Sequence, residues 1–278
     1  MNPSGTVSQP LPAGIVALDA AAIAARLVHA DFRPRVVFET VSTNSQLAED
    51  LKRGQQEPVL LAEYQSAGRG RRGRGWLSPP GRGLYLSLAW TSRRPLRELG
   101  ALSLVAGLAA ARATAQTCQV RVGLKWPNDL QIEGRKLGGC LIDLATVGPG
   151  CVRAIIGLGL NVDFTGLEGP DQAWTDLASH TSAPDRNDLA ARLIDQLIDH
   201  LQRFEQHGFP IFAECWRAHD VLHGREVSLI DQNSACRSGR AAGVDAQGRL
   251  QFETAEGRMA ISSGEVSLRP AATPLTHA

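Results

Sequence analysis

Between Gly68 and Gly75 the chain interleaves glycine and arginine as G-R-G-R-R-G-R-G, and Trp76 follows directly. Glycines let a backbone come close to a ligand, and guanidinium forks pair bidentately with phosphate oxygens while staying charged at any physiological pH. Polyanion binding is the chemistry this run offers, with Trp76 adding a flat face. A solvated surface loop and an RNA-binding arginine-glycine segment share its composition. Its flanks argue against the RNA-binding segment, because Ala62-Glu63-Tyr64-Gln65 reads as the end of a buried strand and Gly83 to Trp90 as the start of another.

Three further runs could contribute chemistry. Lys125-Trp126-Pro127-Asn128-Asp129 sets a cation, an aromatic ring and two short polar side chains directly after a strand, although Pro-Asn-Asp is also ordinary turn chemistry. Lys136-Leu137-Gly138-Gly139 follows at the distance at which a hairpin would return Lys136 beside that turn. In Ile156 to Asn161, Gly157 and Gly159 interrupt a buried strand and weaken its packing unless something approaches the backbone closely. A ligand would explain them; a bulge or a helix crossing is the structural alternative. The G-x-G is too short for a dinucleotide fingerprint and lacks the following helix.

The elements that must position these runs can be read from periodicity. Leu18 to Val28 reads as a short helix, Arg35 to Phe38 as the start of a strand, and Gln46 to Lys52 as a helix capped by Ser42 or Thr43 and stopped at Gly54. Pro58 to Tyr64 and Gly83 to Trp90 are strands, Leu96 to Gln116 an apolar helix and Gln119 to Lys125 a strand. Gln131 to Leu144 forms a hairpin turning at Glu133-Gly134-Arg135, and Cys151 to Val162 returns as a strand. Asp188 to Phe204 is an amphipathic helix with Leu189, Leu193, Ile194, Leu197, Leu201 and Phe204 on one face, and a second helix covers Phe212 to His219. From about Leu222 the pattern changes to five short strands (Glu226 to Ile230, Gly239 to Val244, Arg249 to Glu253, Met259 to Ile261, Val266 to Leu268) separated by turns, as in a small β-barrel.

Composition bounds the function classes. The chain has 278 residues, 43% hydrophobic and 21% charged, which suits one large domain and a small appendage. With 29 basic and 28 acidic residues the net charge is +1, so affinity for polyanions must come from local clustering. The five cysteines form no C-x-x-C pair and no zinc or disulfide spacing, and read as free thiols. No secretory signal is recognisable at the start, and the longest apolar run, near Leu99 to Ala111, reads as too short to span a bilayer, so a cytoplasmic protein with no membrane partner is expected.

Taken in order, Ala62 to Trp76, Lys125 to Asp129, Lys136 to Gly139 and Gly157 to Asn161 resemble the bacterial biotin protein ligases, over about Phe38 to Arg269, with Ser42-Thr43-Asn44 and Ser263 to Arg269 also fitting. The resemblance implies an α+β fold. In it, residues 35–221 would form a mixed β-sheet flanked by helices of the class II synthetase/biotin ligase type, and 222–270 an SH3-like barrel. Residues 1–34 would be a flexible start with a short helix, and 271–278 a tail. It implies that biotin and ATP form biotinyl-5'-AMP with release of pyrophosphate, with magnesium accompanying ATP. A lysine of a biotin carboxyl carrier protein, from acetyl-CoA carboxylase or another biotin-dependent carboxylase, then takes the biotinyl group.

By the same resemblance Ser42, Thr43, Asn44 and Gln65 contact biotin, and Arg69, Gly70 and Arg71 contact biotin and the acyl phosphate. Trp76 packs near adenine. Lys136 approaches the reacting carboxylate and α-phosphate, and Asn128, Gly157, Gly159 and Asn161 line the ligand. Arg69, Arg71 and Lys136 are the cations suited to stabilise the charge of adenylation, and Asp129 is the candidate for orienting or deprotonating the acceptor amine. No metal ligands are identifiable.

The chain departs from the family pattern at Gly75, where some relatives carry a lysine, and at Cys140 and Asp143, which are often isoleucine and glutamate. The stretch before Phe38 is too short for the winged helix-turn-helix of repressor-type ligases, so no DNA binding is expected. The alternative within the fold is a lipoate or octanoate ligase or transferase, which would not be expected to carry the arginine-glycine loop. A nucleic-acid module is disfavoured by the near-neutral charge and the lack of interleaved aromatics. A homodimer through an edge strand is left open.

Overall fold

The computed structural model describes residues 11–167, 173–230, 236–262 and 267–270. Most of the expected frayed start, residues 263–266 of the last family motif and the tail 271–278 lie outside the described residues. Seven strands form the main sheet: β1 (Pro34–Thr40), β2 (Val59–Gln65), β3 (Gly83–Ser92), β4 (Gly123–Lys125), β5 (Asp129–Ile132), β6 (Arg135–Gly148) and β7 (Cys151–Asn161). Their spatial order is β1-β2-β3-β7-β6-β5-β4. β1 and β2 run parallel and the other neighbours antiparallel, so the sheet is mixed, as expected.

Alternation along each strand assigns the two faces different tasks. On β7, Val152, Ala154, Ile156, Leu158 and Leu160 enter the main core together with helices α3 (Leu102–Cys118) and α4 (Arg186–His207). The intervening positions face the other way. There α2 (Thr43–Lys52) packs Leu47 against Leu60 and Ile155 in a separate small cluster, and beyond it the sheet carries Gly157, Gly159 and Asn161.

Several expected boundaries move for local reasons. The first helix, α1, covers only Ala20–Ala24, where the Asp19 side chain caps it by accepting from the Ala22 N–H. The run from Leu96 begins as a 3-10 segment to Ala101 before α3 takes over. With that segment it is long and apolar enough to cross a membrane by length and composition, contrary to the sequence reading. Yet 72% of that window is buried inside the protein, as for a core helix. Gln119, expected in a strand, adopts φ 57° and closes α3 in the left-handed region, so β4 starts only at Gly123. The hairpin between β5 and β6 turns on two residues, Glu133 and Gly134, both at positive φ (50° and 76°).

Part of the segment before β1 is fixed to the large domain. The buried Arg186–Glu63 ion pair (2.6 Å) also takes the Leu18 N–H on Glu63 and gives an Arg186 N–H to the Val16 carbonyl. Asp195 accepts from the backbone N–H groups of Val28 and His29.

After α5 (Ala213–His219), β8 (Glu226–Ile230), β9 (Cys236–Val244), β10 (Leu250–Thr254), β11 (Gly257–Ile261) and β12 (Ser267–Pro270) form an antiparallel sheet in the order β11-β10-β9-β8-β12. Its inner residues Val227, Leu229, Ala241, Leu250 and Phe252 join the main core. The docking point is the turn between β9 and β10, where the Gly248 carbonyl accepts the buried indole N–H of Trp126 at 3.1 Å. Asp245 preforms that turn by accepting from the N–H groups of Gln247 and Arg249. Gly248 sits at φ 73°, and a Cβ there would lie 2.9 Å from Ala101 and 3.0 Å from Leu104. Gly248→Ala should therefore cost about 1–3 kcal/mol, read as a lower thermal midpoint, through backbone strain and overpacking. Gly100→Ala, where a Cβ meets open space in a 3-10 turn, should leave the midpoint unchanged or raise it slightly; equal midpoints for the two variants would contradict the docking role.

Candidate functional site

A cavity of about 930 Å³ opens on the α2 face of the main sheet. Every residue that the resemblance assigned to ligand contact or catalysis lines it: Ser42, Thr43, Asn44, Gln65, Arg69, Gly70, Arg71, Trp76, Asn128, Asp129, Lys136, Gly157, Gly159 and Asn161. Strand register is what gathers them. β3 pairs with β7, β7 with β6 and β6 with β5, so Asp129 lies across from Gly139 and Gly139 across from Gly159.

One end of the cavity is a buried polar network at the start of α2. Ser42 stands at the N-cap position, but its side chain makes no capping bond, contrary to the expected cap. Gln65 Oε1 accepts from both the backbone N–H (2.9 Å) and the hydroxyl (3.2 Å) of Thr43, while its Nε2 donates to Ser78 Oγ at 2.8 Å. Ser87, fully buried, places its hydroxyl 2.8 Å from Thr43 Oγ1 and 2.6 Å from Asn44 Oδ1. Asn44 Nδ2 donates in turn to Asp143 Oδ2 at 2.9 Å. Such a chain of donors and acceptors gives this end of the cavity a polar wall whose groups can exchange partners with a polar ligand.

The other end is cationic. Lys136 Nζ lies 2.7 Å from Asp129 Oδ1, with both side chains largely buried, and 5.4 Å from the centre of the Trp76 ring. The hairpin thus returns Lys136 beside the Pro-Asn-Asp turn, as its spacing implied. Arg71 reaches the same turn, 3.5 Å from Asn128 Oδ1. Burial pushes the Arg71 pKa down from its ordinary value, the Asp129 charge opposes this, and Arg72 and Arg74 add to the lowering. Asn128 commits its own donor to the Cys140 carbonyl (2.7 Å), and Asn161 gives its amide to the Thr175 carbonyl (2.8 Å). Both asparagines therefore brace the walls. The Cys140 thiol is pushed up to about 12 by burial and is no nucleophile at neutral pH.

The arginine-glycine run folds back on itself over the cavity. Trp76 N–H donates to the Gly68 carbonyl (2.8 Å) and Gly70 N–H to the Arg74 carbonyl (2.7 Å), with Arg72 at φ 56° between them. Gly68 is obligatory at the base, since a Cβ would lie 2.5 Å from the Trp76 carbonyl oxygen. Arg69 departs from the other cations. Its guanidinium turns to Asp143 (3.4 Å) and Ser45 Oγ (3.2 Å) rather than to Lys136.

The paired glycines of β7 have a specific cause. A Cβ on Gly157 would lie 2.3 Å from Asn44 Oδ1, and one on Gly159 would lie 2.6 Å from the Trp76 ring. What approaches the strand is therefore two of the cavity's own side chains. Sequence reasoning missed Ser87, Trp174 and the structural part of Asp143. Ser87 carried a signal, a lone hydroxyl alternating with Leu84, Leu86 and Leu88. Trp174 carried none, because it reaches the site through a bridge that pairs it with Lys136, where Lys136 N–H donates to Ala173 and Thr175 N–H donates back to Lys136.

Comparison with known proteins adds a second line of argument. The model of the biotin/lipoate A/B protein ligase family matches residues 37–161, and that of the biotin protein ligase C terminal domain matches residues 222–269. The bifunctional ligase/repressor BirA of Salmonella typhimurium is 36% identical over 264 residues, covering 94% of this chain and 81% of its own. The biotin–[acetyl-CoA-carboxylase] ligase of Mycobacterium tuberculosis is 34% identical over 237 residues, covering 83% and 87%. Among solved structures, the biotin protein ligase of Aquifex aeolicus in complex with biotin and ATP superposes with a TM-score of 0.73 at 29% identity, over 86% of this chain and 99% of that one.

The two glycines should respond differently to a methyl group. Gly157→Ala displaces Asn44 from a buried network and is expected to cost about 1–3 kcal/mol in denaturant unfolding. Gly159→Ala pushes against a ring on a partly exposed loop, so acrylamide quenching of tryptophan fluorescence should increase with little loss of stability. Unchanged quenching would show that Trp76 does not occupy this space.

Proposed function

The chain belongs to the biotin/lipoate A/B protein ligase family, and from that premise we propose that its cavity joins biotin to ATP and passes the biotinyl group to a lysine of an acceptor protein. The observation that carries this reading is the division of the cavity into a buried neutral polar end and a cationic end, lined by one loop. Biotin presents a ureido group that both donates and accepts hydrogen bonds, which the chain from Gln65 through Thr43 and Ser87 to Asn44 can match. A lipoyl or octanoyl tail has no donors or acceptors to exchange with those groups, so it gains nothing from this wall.

In the first step a biotin carboxylate oxygen attacks the α-phosphorus of ATP, the bond to the bridging oxygen breaks and pyrophosphate leaves. Negative charge gathers on the α-phosphate, where preorganised cations away from water are most effective. Arg71 and Lys136 fill that role. Trp76 offers its face to the adenine and, by closing over Gly159, keeps water out. Among the described residues no three or more His, Cys, Asp or Glu side chains gather into an ion-binding group. Magnesium on this reading arrives on the triphosphate as part of the substrate, held chiefly by phosphate oxygens.

In the second step the acceptor lysine nitrogen attacks the acyl carbon, AMP leaves with the bonding electrons, and the amine loses a proton. Asp129 is placed to serve it. Without substrate its carboxylate balances Lys136 at 2.7 Å; when Lys136 turns to the acyl phosphate, the carboxylate is released toward an incoming ammonium group. The acceptor is a biotin carboxyl carrier protein of acetyl-CoA carboxylase or of another biotin-dependent carboxylase, and the reaction belongs to the cytoplasm.

The reading is tested by pyrophosphate release that requires ATP and biotin together, with label passing to a carboxyl carrier domain; activity with lipoate or octanoate in place of biotin would transfer the chain to the other branch of the family. Arg71→Gly should keep the fold and make the adenylate more slowly, with Lys136 alone on the α-phosphate, and release it to bystander amines, measured as biotin on an unrelated protein; unchanged retention counts against the loop's role. Asp129→Asn should slow acceptor transfer more than adenylate formation. Equal slowing of both steps would reduce Asp129 to a partner of Lys136.

A further inference from the structure

Asp143 stands outside this chemistry, on the cavity face of β6 two residues past Leu141, yet two side chains bring three nitrogens to its carboxylate. From the wall, Asn44 Nδ2 donates to Oδ2 at 2.9 Å. From the loop, the two terminal nitrogens of Arg69 face Oδ2 and Oδ1 at 3.4 Å, in the fork-to-fork arrangement that suits a guanidinium and a carboxylate. Arg69 also donates to Ser45 Oγ in α2 at 3.2 Å. Arg69 is the second residue of the arginine-glycine run, one position past the Gly68 base. A tie at this point fixes the angle at which the whole loop leaves the sheet.

We propose that Asp143 is a positioning residue that latches the arginine-glycine loop over the polar end of the cavity and orients Asn44 in the same act. The inference rests on the function proposed above. Asn44 has its amide nitrogen drawn to Asp143 and the Leu141 carbonyl, so its oxygen is turned to the Ser87 hydroxyl. That choice propagates, because a serine has one proton to give and Thr43 already spends its own on Gln65. One acidic side chain thus couples the closure of the loop to the polarity of the wall. Arg69 acts as the loop's half of the latch, and charge stabilisation at the reacting phosphate falls to Arg71 and Lys136.

The latch is half exposed, with side-chain exposures of 49% for Arg69 and 36% for Asp143, so it can open to admit ligand and is sensitive to salt. Its strength sets how long the intermediate stays enclosed.

The test uses the full chain loaded with biotin and ATP, with the enzyme-bound adenylate chased by unlabelled biotin. Asp143→Asn keeps an oxygen for Asn44 but removes the charge that holds Arg69, and should release adenylate about two- to fivefold faster, an effect in the range of an exposed to half-exposed ion pair. Asp143→Glu, which restores the charge, should release it slowly again. The double variant Arg69→Gln with Asp143→Asn should be no faster than the faster single variant, since both remove one tie. Raising salt should speed release from the unsubstituted chain and not from Asp143→Asn, which a merely structural role would not produce. Adenylate leaving Asp143→Asn at the original rate, or single effects that multiply in the double variant, would overturn the latch. Failure of the unsubstituted chain to form any adenylate would instead overturn the proposed function.

Discussion

The cavity depends on two positions of β7 that carry no side chain. Because strand side chains alternate, the same eleven-residue strand (Cys151–Asn161) can bury Ile156, Leu158 and Leu160 under α3 and α4 while its opposite face is emptied at Gly157 and Gly159. The emptied space is filled from other parts of the chain by Asn44 and Trp76, whose atoms would collide with any added Cβ. One glycine therefore admits the polar wall and the other admits the aromatic cover. A change in register by one residue would turn the apolar set into the cavity and destroy both faces together. The long pairings of β7 with β3 and β6 prevent that slip.

The charges follow the same economy. Lys136 and Arg71 are useful only where water is scarce, and an unbalanced cation in such a place would be costly. Asp129 resolves the conflict by holding Lys136 at 2.7 Å, and the pair is coupled to β7 through the Asp129–Gly139 and Gly139–Gly159 register. Asp143 does the equivalent for Arg69 at the other end. Two carboxylates thus stand where ligand charge or polarity would be felt, each on a cation whose position matters.

How much of this could be read from the residues depends on whether the cause is local. The mixed sheet, the hairpin that returns Lys136 and the amphipathic helix over 186–207 follow from periodicity and turn chemistry, which act over a few residues. The glycine pair correctly signalled a close approach on β7, but nothing near Gly157 in sequence could reveal that Asn44 is what approaches, because that contact depends on packing 113 positions away. The same holds for Trp174, set beside Lys136 by a bridge from a distant segment to the start of β6. One error had a local cause, Gln119 leaving the expected strand to close α3 at φ 57°; at Ser42, which holds the N-cap position without a side-chain cap bond, the neighbouring Thr43 and Asn44 are instead engaged with the distant Gln65 and Ser87.

The small C-terminal sheet is tied to the same geometry. Trp126, which lines the cavity beside Lys125 and Asn128, has its indole N–H fixed on the carbonyl of Gly248, across 122 positions of sequence. An indole donor buried without a partner would favour another rotamer or a shifted turn. The Gly248 carbonyl therefore helps to decide where the Lys125 to Asp129 turn stands, and with it Asp129 and the ion pair to Lys136. Gly248 can reach that position only because it tolerates φ 73° and presses directly on Ala101 and Leu104 at the start of α3. The appended sheet is thus a wall of the cavity at one remove, and its docking and the placement of Asp129 form one mechanical unit.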